Sequence, residues 1–120
     1  MKHESAIDSS VFDDFRSVGA GGNDFVSKLI DQYLEEAAAR MTALKDAVER
    51  RDAPALKLAT HALKGTSGSV GAHGIAAKCD ELEALARAAT FDGAPALVTE
   101  LEDEFKRVRL ALLVEQGSAA

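Results

Sequence analysis

A chain of 120 residues, 47% of them hydrophobic and none of them tryptophan, suits one domain with a modest core. Twenty acidic against fourteen basic residues give a net charge of −6, which favours solubility and argues against nucleic acid as a partner, because phosphate binding needs a concentrated basic surface. The single cysteine, Cys79, excludes an internal disulfide, and no segment approaches the roughly eighteen consecutive apolar residues of a membrane span, so a reducing, cytoplasmic setting away from the membrane is expected.

Only two prolines, few aromatics and abundant Ala, Leu, Glu and Lys favour helices over sheets. Residues 1–6 read as a loose terminus. Asp8-Ser-Ser then offers caps to a short helix with Val11, Phe12 and Phe15 on one face, which Gly19, Gly21 and Gly22 end. Asn23 can cap the longest helix, whose apolar positions Val26, Ile30, Tyr33, Leu34, Ala37, Met41, Leu44 and Val48 hold helical spacing to about Arg51. Lys28, Glu35, Glu36 and Lys45 fall on its solvated side. Phe25 and Leu29 broaden the apolar face toward the first helix or a partner.

The next segment begins like a helix, with Asp52 as a cap and Pro54 in a first turn where its missing N–H is not needed. Leu56, Ala59, Leu63 and Val70 form one apolar stripe. At about 100° per residue, His61 lies roughly 140–160° from Leu56 and Leu63 and points away from the core. Its surface neighbours are Lys57, Lys64, Gly65 and Gly68. Glycine inside a helix costs about 1 kcal/mol relative to alanine, and Thr66, Ser67 and Ser69 are weak helix formers as well. A lone exposed histidine usually does nothing, and small residues often mark close packing. Together, an outward imidazole, a lysine one turn on and a glycine beside it make an accessible nucleophile with a cation for the anion it would carry.

Gly71 and Gly74 punctuate a turn that holds His73, an ordinary surface histidine. Ile75, Cys79, Leu82 and Ala86 mark the core face of a fourth segment, which makes Cys79 a buried small hydrophobe and not a reactive thiol. Thr90–Pro95 is the last connection, broken by Gly93 and Pro95. The final helix carries Leu97, Leu101, Phe105, Val108 and Leu112 and frays over residues 116–120. The pattern predicts an all-α fold in a single domain over residues 1–120: an antiparallel up-down-up-down four-helix bundle with the short N-terminal helix packed on it. Folding the third and fourth long segments back about residues 71–73 sets His61 level with residues near 82–84. Glu83, beside the core residue Leu82, is the acid that can reach the imidazole; Arg87, one turn on, could instead pair with Glu83 at the surface.

His61-Ala-Leu-Lys64-Gly65-Thr-Ser67-Gly-Ser-Val-Gly71-Ala72, followed by Cys79-Asp-Glu-Leu82-Glu83, resembles the histidine-containing phosphotransfer (HPt) domain and its pattern H-x-x-K-G-x-S-x-x-x-G-[AL]. The resemblance implies that His61 is a phosphoacceptor and that Glu83 holds the ring nitrogen that does not react. The partners implied are receiver domains of response regulators and of hybrid histidine kinases, with Mg²⁺ on the receiver and no cofactor bound by this chain. An imidazole, with an ordinary pKa of about 6.5, needs no extra base at pH 7. Lys64, with Lys57 and Arg87 in support, can neutralise phosphoryl oxygens, and Gly65 lets a partner's active site close over the ring. Nothing resembles a nucleotide-binding glycine loop, so a phosphoryl carrier without ATP-dependent kinase activity is expected, and a bundle with a single core is expected to be a monomer. Two other readings are a domain phosphorylated directly by a kinase core and a structural or metal-binding helical bundle, although no inward Glu-x-x-His pair occurs.

Overall fold

The computed structural model describes residues 6–17 and 21–118. These form five helices, α1 (Ser10–Arg16), α2 (Gly22–Arg50), α3 (Ala53–Gly68), α4 (His73–Arg87) and α5 (Ala94–Ser118), with no strand among the described residues. Helices α2 to α5 each pack on the next, and α5 returns to α2, closing a ring around the core; α1 lies on α2. Residue pairs show the directions. Tyr33 near the start of α2 meets Ser67 near the end of α3, whereas the two helices join at Asp52. His61 faces Glu83 while Lys64 faces Asp80, and Lys45 reaches Glu102 while Gln116 reaches Asp31. Neighbouring helices therefore run in opposite directions.

The predicted stripes supply most of the core. Val26, Ile30, Leu44, Leu56, Leu63, Ile75, Leu82, Leu101, Val108 and Leu112 are fully buried, as periodic apolar faces turned toward one centre require. Thr60 and Ser67 are buried polar residues on α3. Each has a partner: the Thr60 hydroxyl donates to the Lys57 carbonyl at 3.0 Å, and Ser67 Oγ lies 2.9 Å from Tyr33 Oη. Burial pushes the Tyr33 phenol up to about 12, so it remains a hydroxyl that can sustain this bond. Asp52 caps α3 as expected, its Oδ1 accepting from the Ala55 N–H at 3.0 Å.

The element ends depart from the sequence pattern at several places, and at two of them a tertiary contact is the reason. Asn23 does not cap α2; Gly21 occupies that position and Gly22 opens the helix. A side chain on Gly22 would place its Cβ 2.1 Å from the Phe15 carbonyl oxygen, so close approach of α1 fixes the residue there. Helix α1 stops at Arg16, ahead of Gly21 and Gly22, and Gly19 lies outside the described residues. Phe15 is half exposed and tilts against Phe25 with ring centroids 4.9 Å apart, so Phe25 does reach the first helix.

At the α3–α4 turn, Val70 is buried beyond the end of α3, and His73 is the first residue of α4, not part of the turn. Gly71 adopts a left-handed φ of 72°, and its carbonyl accepts from the Asp8 N–H at 2.9 Å. Pro95 sits inside the first turn of α5. The predicted fraying at 116 does not occur, since α5 continues to Ser118. Gln116 Nε2 donates to the Ser27 carbonyl and to Asp31 Oδ1, and Arg16 donates to both the side chain and carbonyl of Glu115. Residues 1–5 of the expected loose terminus, and 119–120, lie outside the described residues. No helix among the described residues is long and apolar enough to cross a membrane.

Candidate functional site

Helix α3 has two faces, and its buried one fixes the other. Leu56, Ala59, Thr60, Leu63 and Ser67 face inward, which leaves the His61 side chain 80% exposed. Its Nδ1 lies 4.0 Å from Glu83 Oε2, and Glu83 is only 13% exposed because it follows the fully buried Leu82 on α4. That separation is about 1 Å longer than a hydrogen bond, a gap that a small ring or carboxylate movement would close. The carboxylate faces Nδ1, and Nε2 is the nitrogen left for a second molecule.

Lys64, one turn after His61, is engaged across the helix pair. Its Nζ donates to Asp80 Oδ1 at 2.5 Å. The hydrogen bond to Asp80 and that residue's charge raise the Lys64 pKa, Glu83 adding to the effect and Arg87 opposing it. The ammonium is therefore a permanent charge at neutral pH. Arg87 is exposed and makes no ion pair with Glu83; among the described residues Glu83 pairs with His61, so the surface Glu83–Arg87 alternative does not form. Lys57 is exposed on α3 four residues before His61, also without an ion pair among the described residues. A Cβ added at Gly65 or at Gly68 would meet nothing within 4 Å, so the surface beside the ring is open.

Two residues of this face were not singled out by the sequence pattern. Asp80 follows from the same fold-back register that places Glu83 opposite His61, extended one turn to Lys64. Leu58, three residues before His61, is 75% exposed; an apolar residue off the core stripe is the signal that marks it.

Cys79 immediately precedes Asp80 in sequence but faces the core, fully buried. Burial pushes its thiol up to about 12, with Asp80 and Glu83 adding to the shift. Thiolate is the reactive form, so at pH 8 iodoacetamide is expected to label Cys79 at a rate set by unfolding and to label urea-unfolded protein at once. Rapid labelling of the folded protein would contradict this placement. No group of three or more His, Cys, Asp or Glu side chains comes together as a metal site among the described residues.

The sequence model of the Hpt domain family matches residues 28–111, a span containing His61, Lys64, Gly65, Asp80 and Glu83. The fold is similar to the crystal structure of histidine-containing phosphotransfer protein B (HptB) from Pseudomonas aeruginosa PAO1, with a TM-score of 0.85 and 31% identity over 97% of this chain and 98% of that one. No curated protein matches the chain. The family match covers more than half of the sequence and the structural match nearly all of it; the chain belongs to the Hpt domain family, and its function is histidine phosphotransfer in a phosphorelay.

Proposed function

We propose that His61 carries the phosphoryl group, taking it from the phospho-aspartate of one receiver domain and passing it to the aspartate of another. The observation that carries this reading is one exposed imidazole whose Nδ1 faces a nearly buried carboxylate. In the forward step the Nε2 lone pair attacks phosphorus, the P–O bond to the aspartyl carboxylate breaks, and that carboxylate leaves with the bonding electrons. His61 keeps its Nδ1 proton and becomes an imidazolium. Glu83 stabilises that cation and fixes the tautomer with Nε2 unprotonated.

Lys64 neutralises phosphoryl oxygens as a point charge, supported at longer range by Lys57 and Arg87. The chain supplies an acceptor and its electrostatics and works as a monomeric carrier in the cytoplasm; in-line geometry is assembled only in the complex. Mg²⁺ belongs to the receiver in this scheme, and no cofactor is assigned to the chain itself. Incubation with a panel of phosphorylated receiver domains tests the reading. Acid-labile phosphate on the protein supports it; acceptance only from a kinase core, with none from any receiver, would replace the relay with direct phosphorylation.

Gly65 provides a separate check on access. Gly65→Gln adds a good helix former where nothing crowds the backbone, so helix stability is expected to rise by about 0.5 kcal/mol while receiver transfer falls at least tenfold. Unimpaired transfer would show that approach over Gly65 is not limiting.

A further inference from the structure

The two cross-helix contacts of the α3–α4 face differ in kind. His61 stands opposite Glu83 and Lys64 opposite Asp80, three residues further along, which is about 4.5 Å of helix rise. Asp80 thus draws the Lys64 ammonium to a level one turn away from the imidazole. Glu83 is 13% exposed and fixed at the edge of the core, whereas the Asp80 side chain is 55% exposed and the Lys64 side chain 43%. If Lys64 leaves, water can solvate Asp80 at little cost. An exposed pair of this kind is weak, and a doubly charged phosphoryl group on a neighbouring side chain competes for the same ammonium.

On the reading of His61 as phosphoacceptor, we propose that Asp80 is a positioning residue for Lys64: it holds the ammonium away from the imidazole until an incoming phosphoryl group displaces the carboxylate. Asp80 thereby lowers the rate at which His61 is phosphorylated. The flexible four-carbon stem of Lys64 makes the exchange a rotamer change, with no movement of either helix.

Phosphoramidate is a suitable probe because it needs no partner protein. Nε2 attacks the phosphorus of its zwitterion, the P–N bond breaks, and the nitrogen, which already carries three protons, leaves as ammonia with the electron pair. Intact-mass spectrometry of the full chain then gives the rate of phosphorylation, with His61→Gln reporting acceptance elsewhere. Asp80→Asn is expected to raise the His61-dependent rate about two- to fivefold, the range an exposed ion pair allows. Asp80→Glu, which keeps the charge, should return it to the wild-type rate. In a Lys64→Ala background, Asp80→Asn should have no effect.

An equal gain in the presence and absence of Lys64 would overturn the proposal in favour of direct repulsion between Asp80 and the phosphoryl group. An unchanged rate in Asp80→Asn would overturn it outright. Wild-type protein that takes up no phosphate on His61 would instead remove the parent reading, and the proposal with it. Both side chains are exposed, so the variants are expected to fold, which circular dichroism checks.

Discussion

His61→Gln is expected to reduce phosphoryl acceptance to the level of a protein without an acceptor, while the helical circular dichroism and the urea midpoint stay at their wild-type values. The side chain is 80% exposed, so substitution there should change stability by no more than about 0.5 kcal/mol. Glutamine can still meet Glu83 through its amide N–H but has no nitrogen lone pair free to attack phosphorus. The expected loss is therefore chemical and complete. His73 is exposed at the start of α4 and does not face Glu83; acceptance retained in His61→Gln would point to a site of that kind and reject the assignment.

Leu63→Ala acts on the opposite face of the same helix, with the reverse pattern of effects. Leu63 is fully buried two residues after the histidine, and truncating such a side chain leaves a cavity costing about 3 kcal/mol. Against a total of about 5–15 kcal/mol, the variant should remain largely folded at 25 °C with a clearly lower urea midpoint. Transfer per folded molecule should stay near wild type, because the outward side chains are unchanged. A loss below about 1 kcal/mol would show that α3 is not anchored through this stripe. Selective loss of transfer at full stability would show that the two faces are not independent.

The placement of the site was legible because it depends on helical period and hairpin register. Leu56 and Leu63 define the inward direction of α3, which sets His61 outward, and the turn at Gly71 sets Glu83 level with it. The same register contains the Lys64–Asp80 pair, but a contact between two exposed charged side chains leaves no pattern of hydrophobicity to mark it. Helix ends were less legible, since they answer to neighbours distant in sequence. Asn23 has the chemistry of a cap, yet the approach of the Phe15 carbonyl to Gly22 starts α2 earlier. The run Gln116-Gly-Ser-Ala-Ala after Glu115 reads as fraying, whereas Gln116 is held by Ser27 and Asp31 across the bundle. Local propensity gave way to tertiary contact in both places.

The measurement that bears most directly on the mechanism is the identity of the phosphorylated atom, read by nitrogen-correlated NMR of the ¹⁵N-labelled protein after incubation with a phosphorylated receiver. The orientation of Nδ1 toward Glu83 predicts phosphate on Nε2 of His61 with a proton retained on Nδ1. Phosphate on Nδ1, or on any other residue, would contradict it.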